Sequence, residues 1–356
     1  MANDPRDFSG KRLQQALHSL GRNPALRKEL IDFLKQAEAH LEHAGSVRDD
    51  ITGPIIDALH DDADRYAKTL ADGTTFEVLV RTKIARDFLL SDEEHPSHVW
   101  EPQTTRLLLK LTAALGGDVV VGGAYFGDQA VLVAKNVLPA GRTVHCFEPN
   151  LDQAAMLENN FRINALENVA INKLGLWSTS SVRLRLDGFD SFANAVEAAP
   201  DEDGFQTVSI DDYRARGGFE VGLIQLDIEG AELGALQGAA DTIARCKPHV
   251  VFEVHRDYVD WTDGLENTPI CRLLRDAGYT VFAVRDFNTH REMPGKPVEL
   301  IPADKVYLQG PPHGFNMVAV QDSSIFTAPE FKIVEGVSPK LLLHKSPALH
   351  HPTDGL

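Results

Sequence analysis

The 356-residue sequence is poor in cysteine and has no long apolar run. Its three cysteines, Cys146, Cys246 and Cys271, are widely spaced and form no CxxC pair, which argues against a disulfide framework or a zinc site. We therefore expect free thiols in a reducing compartment. No stretch approaches the roughly 18 apolar residues that a membrane-spanning helix needs, and the N-terminal segment lacks the apolar core of a signal peptide. These absences predict a soluble, cytoplasmic protein with no membrane partner.

Positive charge is also scarce. The chain carries 35 Lys and Arg residues against 52 Asp and Glu residues, which gives a net charge of −17. Proteins that bind nucleic acid usually neutralise its phosphates with basic side chains, so this balance disfavours such a partner. We expect no nucleic-acid substrate.

Apolar patterning divides the chain into three regions. Residues 1–100 predict a helical N-terminal extension, because apolar side chains recur there at helical spacing. Its expected elements are a helical hairpin over 11–45, a helix over 51–71, a short strand or pairing segment over 76–80 and a helix over 81–90. Residues 101–321 predict one catalytic domain, and residues 322–356 a tail packed on its surface.

Within the central region, short β-branched runs alternate with Ala-rich and Leu-rich stretches, which is typical of α/β proteins with a mostly parallel sheet. The predicted strands are 118–122, 143–147, 169–174, 223–227, 249–254, 280–284 and 315–320. The predicted helices are 127–137, 151–164, 231–245 and 266–277. Residues 187–204 are interpreted as a polar, acidic insertion and 285–314 as a long loop, a kind of segment that often covers a binding site.

A glycine-containing turn follows the first of these strands, in the run VVVGGAYFGD. Gly123 and Gly127 permit unusual backbone angles, and a helix that opens near Asp128 would offer its N–H groups to an anion. About 21 residues after Gly127, Glu148 ends the second strand in FEPN. This is the distance at which doubly wound folds place a carboxylate on ribose hydroxyls.

Both nicotinamide dinucleotides and S-adenosylmethionine present ribose hydroxyls to such a carboxylate, so these two motifs leave a dehydrogenase and a methyltransferase open. The turn lacks the full GxGxxG pattern that positions a pyrophosphate, and its Tyr125 and Phe126 are bulky for that contact. These two features favour the methyltransferase.

Further polar side chains follow later strands. Asp227 and Glu229 end the strand in LIQLDIEGAEL, and Glu253 and His255 end the next one in VVFEVHR. Because ligands bind beyond the carboxyl ends of parallel strands, these four side chains are candidate catalytic residues. Glu253 or His255 could remove a proton from a hydroxyl, or could join Asp227 in holding a divalent cation.

One more candidate pair precedes and begins the last strand, in GPPHGFNM. That strand commonly runs antiparallel in such folds and then begins on the active-site side. His313 and Asn316 are therefore candidate substrate-binding residues, although the Pro and Gly residues there could equally shape a tight turn.

Taken in order, six segments resemble the FkbM family of methyltransferases: GAYFG, FEPN, LENNFRINALENV, VSIDDY, LIQLDIEGAELGALQGA and PHVVFEV. The resemblance covers roughly residues 115–255. It implies a Rossmann-like class I methyltransferase fold, with a seven-stranded, mostly parallel sheet that has one antiparallel strand. It also implies S-adenosylmethionine as cofactor and, usually, O-methylation of natural products, sugars or glycans.

The resemblance also implies roles for individual residues. The expected cofactor-binding residues are Gly123, Ala124, Tyr125 and Gly127 on the methionine side, Glu148 and Asn150 near the ribose, Gly175, Leu176 and Trp177 near the adenine, and Asp227 at the transfer site. Members of the family often have an acidic residue near the end of the first strand, where this chain reads only Val at 119–121. Asp128 is a candidate substitute for that residue.

We thus expect an S-adenosylmethionine-dependent O-methyltransferase that acts on a small molecule or glycan. A nicotinamide-dependent oxidoreductase and a non-catalytic, methyltransferase-like scaffold are the alternatives. The N-terminal helices are expected either to cover the active site or to form a homodimer contact.

Overall fold

The computed structural model describes residues 10–43, 46–61, 63–80, 82–187, 194–197, 204–308 and 314–341. Among these residues, no helix is long and apolar enough to cross a membrane.

The N-terminal region begins with the predicted helical hairpin. Its elements are α1 (Gly10–Gly21), α2 (Pro24–Glu38), α3 (Gly53–Asp57), β1 (Arg65–Thr69), β2 (Thr75–Leu79) and α4 (Lys83–Leu89). The side chain of Asn23 accepts hydrogen bonds from two N–H groups of the first turn of α2, and Pro24 occupies the first helical position. Both features explain why the second helix begins where it does.

The predicted helix over 51–71 is wrong, because the chain forms only the short α3 there and then an antiparallel hairpin of β1 and β2. The physical reason is a turn at Gly73, which has φ 84°, followed by alternation that buries Phe76 and Val78. The alternative of a strand over 76–80 is confirmed by β2. The extension is therefore mixed rather than purely helical.

The hairpin of β1 and β2 is fixed to the central region by Asn160. Its side chain bonds both the N–H and the carbonyl of Glu77 and also the carbonyl of Phe126, at 2.8 to 3.0 Å. Phe76 meets Phe126 edge to face. These contacts make the hairpin continuous with the core that lies behind the glycine turn.

The central and C-terminal helices are α5 (Pro102–Thr112), α6 (Ala130–Val137), α7 (Leu151–Ile163), α8 (Ile210–Gly217), α9 (Glu232–Gln237), α10 (Ala240–Cys246) and α11 (Pro269–Asp276). The strands are β3 (Asp118–Gly122), β4 (Val144–Phe147), β5 (Val169–Asn172), β6 (Gly175–Leu176), β7 (Arg183–Asp187), β8 (Asn194–Glu197), β9 (Phe205–Val208), β10 (Val221–Leu226), β11 (His249–Val254), β12 (Thr280–Arg285), β13 (Val298–Pro302), β14 (Phe315–Val320) and β15 (Phe331–Ile333). The predicted helix over 231–245 is divided into α9 and α10, near Gly238.

A nine-stranded sheet has the order β15-β13-β12-β14-β11-β10-β3-β4-β5. All seven predicted strands occur in it, and among those seven only β14 is antiparallel to its neighbours. The α/β fold with a large, mostly parallel sheet is thus confirmed. The predicted strand count is wrong, because β13 and β15 extend one edge, and β13 runs antiparallel to β12. Three strands, rather than one, oppose the parallel set.

Alternating side chains of each central strand pack on opposite faces of this sheet. Val119 and Val121 contribute to a core with α5 and α6, whereas Val120 contributes to a second core with α9 and α10. Burial on both faces explains why β3 reads as an uninterrupted apolar run. The parallel strands β3, β4, β10 and β11 have their carboxyl ends on the same side of the sheet. This carboxyl-end edge of the sheet, and not its lateral edge at β15, carries the candidate site.

The described part of the C-terminal segment, for which the sequence predicts a tail packed on the surface over 322–356, packs along the lateral edge of the sheet and ends in buried residues. Residues of β15 pair with β13, and the chain continues to the buried Lys340 and Leu341. Backbone hydrogen bonds join Asp286 to Pro339 and Leu341 to Asp286. The segment is held by the sheet edge because its backbone N–H and carbonyl groups find partners there. Residues 342–356 lie outside the described part of the chain.

Candidate active site

The glycine turn directly follows β3 and allows a close backbone contact. Gly123 has φ 72°, and a Cβ added there would clash with the backbone oxygen of Asp227. The N–H groups of Gly123 and Ala124 both donate to the carbonyl of Phe147. Only glycine fits this position, because the turn is pressed between the ends of β4 and β10.

The second half of the turn is equally constrained. Gly127 has φ 92°, and a Cβ there would lie 2.8 Å from Leu157. The helix begins at Ala130, later than the predicted residue 127, so Asp128 belongs to the turn. Burial and the nearby carboxylate of Asp227 raise the pKa of Asp128 to about 7, and backbone N–H groups oppose this shift.

Glu148 lies at the end of β4 and is 7% exposed. Its Oε2 accepts a hydrogen bond from the N–H of Tyr125 at 2.9 Å, and its Oε1 accepts one from the N–H of Asn150 at 2.9 Å. Burial raises the pKa of Glu148, whereas these two bonds lower it. Each oxygen keeps a lone pair that could accept a hydroxyl of a diol, as the predicted ribose role requires.

The remaining predicted cofactor residues separate into different environments. Asn150 is the N-cap of α7, where its side chain accepts from the N–H groups of Asp152 and Gln153. Leu176 packs against Gly122 at the end of β3 and therefore borders the turn. Gly175 lies against Phe205, and the Trp177 ring packs against Gly234 in α9.

Asp227, Glu229 and Glu253 form a carboxylate cluster beyond the ends of β10 and β11. One carboxylate oxygen from each residue lies within 4.8 Å of the others. Glu229 is held there with φ 52°, and the loop before α9 is closed by Glu232, whose carboxylate accepts the N–H groups of Ile228 and Gly230. The structure thus brings together three of the four predicted catalytic side chains.

Electrostatics in this cluster favour proton uptake. Burial raises the pKa of Asp227 to about 6, and burial together with the charges of Asp227 and Glu229 raises the pKa of Glu253 well above its usual range. The side chain of Asp227 is exposed to solvent, although many protein atoms lie around it. Solvent screens its charge and therefore weakens the rise of its pKa. Within the described residues, neither Asp227 nor Glu253 has a hydrogen-bond donor.

Gly314 and Asn316 define the wall beside Glu253. A Cβ at Gly314 would clash with the Glu253 carboxylate, and Asn316 faces Glu253 across the antiparallel pair of β11 and β14. The predicted substrate residue Asn316 is buried, and its amide donates to Glu101 at 2.8 Å. The other predicted substrate residue, His313, lies outside the described residues.

His255 is not part of the carboxylate cluster, so its predicted pairing with Asp227 and Glu253 as metal ligands is wrong. Its Nδ1 accepts the N–H of Asp257 at 3.1 Å and lies 3.5 Å from the Asp257 carboxylate. Burial lowers its pKa. The chain turns after β11 ends at Val254, which takes His255 away from the cluster, and the loop after β10 supplies Glu229 as its third carboxylate.

Sequence reasoning missed Glu101, which is 6% exposed at the same edge. Its carboxylate accepts hydrogen bonds from the side-chain amides of Gln129, Asn288 and Asn316. Gln129 in turn accepts from the amide of Gln225 in β10. The sequence shows only an acidic residue between Trp100 and Pro102. It does not reveal that two of the hydrogen-bond donors to this residue lie 187 and 215 residues away.

Lys340 was also missed, because it reaches the site from the C-terminal segment. It is 3% exposed, and its Nζ donates to the side-chain oxygen of Asn288. Burial lowers the pKa of Lys340 to about 8, although the carboxylates of Glu101 and Glu253 act in the opposite direction.

Strained backbone is concentrated at this edge. Six non-glycine residues among those described have positive φ, and three of them, Glu101, Tyr125 and Glu229, line the site. Such conformations cost about 1 to 3 kcal/mol each and are enriched at functional sites. The arrangement therefore has the properties of a ligand-binding centre.

Residues 122–281 match the family model described as the methyltransferase FkbM domain. The match contains the glycine turn, Glu148, Asp227, Glu229 and Glu253. It excludes Glu101, Asn316 and Lys340. No curated protein sequence matches the chain.

Three solved structures are similar in fold at low identity. Methyltransferase FkbM from Methylobacillus flagellatus is 18% identical, with a TM-score of 0.35, over 57% of this chain and 43% of that one. The tRNA (uracil-54, C5)-methyltransferase of Pyrococcus abyssi, in complex with S-adenosyl-L-homocysteine, is 13% identical, with a TM-score of 0.33, over 72% and 44%. The magnesium protoporphyrin IX methyltransferase of Synechocystis, with bound S-adenosylmethionine, is 10% identical, with a TM-score of 0.30, over 62% and 79%. These likenesses are too distant to assign a substrate.

Proposed function

We propose that the chain transfers a methyl group from S-adenosylmethionine to a hydroxyl oxygen of a small natural product, a sugar or a glycan, because residues 122–281 match the model of the methyltransferase FkbM domain. The observation that carries this proposal is the convergence of three features at one sheet edge. These features are the glycine turn after β3, the tethered Glu148 and the pair of Asp227 and Glu253. The family match favours a methyltransferase over a nicotinamide-dependent oxidoreductase.

The residues present fit S-adenosylmethionine. Glu148 keeps acceptor capacity on both oxygens, as two ribose hydroxyls require. The glycines at 123 and 127 let the turn pack closely against Asp227 and Leu157, which holds it beside Glu148 at the ends of the strands. Leu176 is buried beside Gly122 and supports the end of β3 from below the proposed site.

The cofactor supplies an electrophilic methyl group on a sulfonium centre. The residues of this chain would hold the acceptor hydroxyl against that methyl group, so positioning provides much of the rate acceleration. The hydroxyl proton must leave, and the carboxylates of Asp227 and Glu253 would accept it. Among the described residues, no group donates a hydrogen bond to either carboxylate. Desolvation raises the pKa of both carboxylates, which makes each a stronger base than a fully solvated carboxylate.

The charge of the site limits the acceptor class. Asp227, Glu229 and Glu253 together present an acidic surface that repels a phosphate or carboxylate. A neutral, hydroxylated molecule can donate its hydroxyl hydrogens to these carboxylates. The proposed acceptor is therefore uncharged near the reacting oxygen, which agrees with the predicted absence of a nucleic-acid substrate.

Three carboxylates are also the oxygen ligands that a divalent cation prefers. We assign proton removal to Asp227 and Glu253, because desolvation raises the pKa of both carboxylates. A chelator included in the assay separates the two roles, since transfer that persists with excess chelator excludes the metal.

The test is a transfer assay with S-adenosylmethionine that carries a labelled methyl group and a panel of hydroxylated acceptors. For an accepted compound, Asp227→Asn and Glu253→Gln should lower turnover by roughly 10² to 10⁴ while cofactor binding is preserved. Glu335→Gln, on the exposed C-terminal segment, is the matched control and should leave turnover unchanged. Full turnover in both Asp227→Asn and Glu253→Gln would contradict the assigned roles.

A further inference from the structure

Glu101 combines burial with a charge that nothing in its own segment explains. It precedes α5 with φ 47° and ψ 78°, a left-handed conformation that turns the chain sharply before Pro102. The side chain is 6% exposed and lies against Gln129, which follows the glycine turn directly and precedes α6. Glu101 therefore borders the methionine side of the proposed cofactor site from outside the matched family domain.

Its hydrogen bonds leave room for one more donor. Oε2 accepts from the amides of Asn316 and Gln129, and Oε1 accepts from the amide of Asn288. A carboxylate has about four lone-pair positions, so Oε1 keeps one. All three donors are neutral amides, which orient the carboxylate. Burial and the charges of Asp286 and Asp227 raise the pKa of Glu101 well above its usual range, and a cation bound beside the carboxylate would oppose this shift.

A lysine lies nearby but does not form an ion pair with Glu101. Lys340 donates to the oxygen of Asn288, whose amide donates to Glu101, so the two charges are separated by a side-chain amide. Within the described residues, no carboxylate lies within 4.0 Å of the lysine ammonium group. Glu101 thus remains available to a cation from a ligand.

The other carboxylates near the turn are committed elsewhere. Both oxygens of Glu148 accept backbone N–H groups at the ribose end. Asp128 interacts with the backbone N–H groups of the turn itself. Asp227 belongs to the cluster on the acceptor side, and β3 offers only valines at 119–121.

An amino-acid moiety bound at this turn carries an ammonium group that loses its water on binding. A buried ammonium needs an ionised partner, because the desolvation of an unpaired charge is costly. We propose that Glu101 binds the α-ammonium group of the methionine moiety of S-adenosylmethionine. This inference rests on the proposed function, and it assigns to the N-terminal end of α5 a part of the cofactor site that the family match does not include.

The test compares two ligands by calorimetry on the full chain. S-adenosylhomocysteine carries the ammonium group, whereas 5′-methylthioadenosine keeps the adenosine and the thioether but lacks the amino-acid group. Glu101→Gln should weaken S-adenosylhomocysteine binding by roughly 10- to 100-fold, as expected for loss of a charged hydrogen bond. Binding of 5′-methylthioadenosine should change by less than about twofold, which also shows that the variant is folded.

Asp128→Asn is the matched control, because Asp128 is the rival carboxylate of the turn. It should affect both ligands alike. Equal losses for both ligands in Glu101→Gln, no loss at all, or a selective loss in Asp128→Asn would each overturn the role of Glu101. If the wild-type protein binds neither ligand, the proposed cofactor is wrong and this inference fails with it. If the wild-type protein binds both ligands but Glu101→Gln does not weaken one more than the other, only this inference fails.

Discussion

The backbone N–H of Tyr125 donates a hydrogen bond of 2.9 Å to the carboxylate of Glu148. This bond joins the glycine turn after β3 to the acidic end of β4. It also fixes Oε2 of Glu148, and the backbone N–H of Asn150 fixes the other oxygen, Oε1. A site ordered in this way binds with a smaller entropic cost than one that must assemble around its ligand.

The glycine turn should not tolerate a side chain. In Gly123→Ala, the new methyl group would clash with the backbone oxygen of Asp227, and φ 72° is unfavourable for alanine. We expect a loss of about 2 to 4 kcal/mol in the free energy of unfolding and a loss of cofactor binding, measured by denaturant titration and calorimetry. Gly116→Ala, where the added methyl group meets nothing within 4 Å, should be neutral. A stable, ligand-binding Gly123→Ala protein would refute this description of the turn.

The attachment of the β1–β2 hairpin to the central region should depend on the single buried side-chain amide of Asn160. Asn160→Ala would remove partners from the N–H and carbonyl of Glu77 and from the carbonyl of Phe126. The expected cost is about 2 to 4 kcal/mol in the free energy of unfolding, since buried polar groups lose their bonds. Asn159→Ala, which removes bonds to the partly exposed side chains of Glu77 and Arg162, should cost less than about 1 kcal/mol. Similar losses in the two variants would contradict the special role of Asn160.

The buried carboxylates should make stability depend on pH. Burial and the carboxylate of Asp227 raise the native pKa of Asp128 to about 7, well above the usual range of an aspartate, so the native state holds this proton more tightly than the unfolded state. Its contribution to stability is present below the lower pKa and is lost as pH rises towards 7. Histidines with lowered pKa values, such as His60 and His290, oppose this trend, so a difference between variants is the useful quantity.

Asp128→Asn should therefore melt at nearly the same temperature as the wild-type protein at pH 4 and a few degrees higher at pH 8. Thermal unfolding across that range measures the difference between the two curves. Glu335→Gln, an exposed carboxylate, is the control and should follow the wild-type curve. A constant difference for Asp128→Asn at every pH would show that this carboxylate does not titrate in the window given above.

Local sequence patterns predicted the parts of the fold that are locally determined. The β-branched runs inside the sheet became strands because they are buried on both faces, whereas β5 pairs as a partly buried edge strand. The carboxylates at the strand ends met on one side of the sheet because parallel strands share a direction. Gly123 and Gly127 were recognisable because a turn after a strand needs their backbone angles.

The missed parts depend on contacts that are distant in sequence. The three residues of β15 form a strand only because β13 offers an edge, and β13 itself lies in a segment whose Pro and Gly residues suggested a loop. Lys340 and Glu101 come together only through Asn288. His255 was grouped with Glu253 by strand alternation, but β11 ends at Val254 and the alternation ends with it.

The most direct test of the account is a calorimetric titration of the purified protein with S-adenosylhomocysteine, repeated on Glu148→Ala and on the control Glu158→Ala. Glu158 is an exposed residue of α7 that pairs with Lys173, so its loss should not affect the site. We expect wild-type binding that is micromolar or tighter, about −8 kcal/mol, and a loss of at least roughly 100-fold in Glu148→Ala alone. Absence of binding to the wild-type protein, or undiminished binding to Glu148→Ala, would contradict the assignment of this sheet edge as the cofactor site.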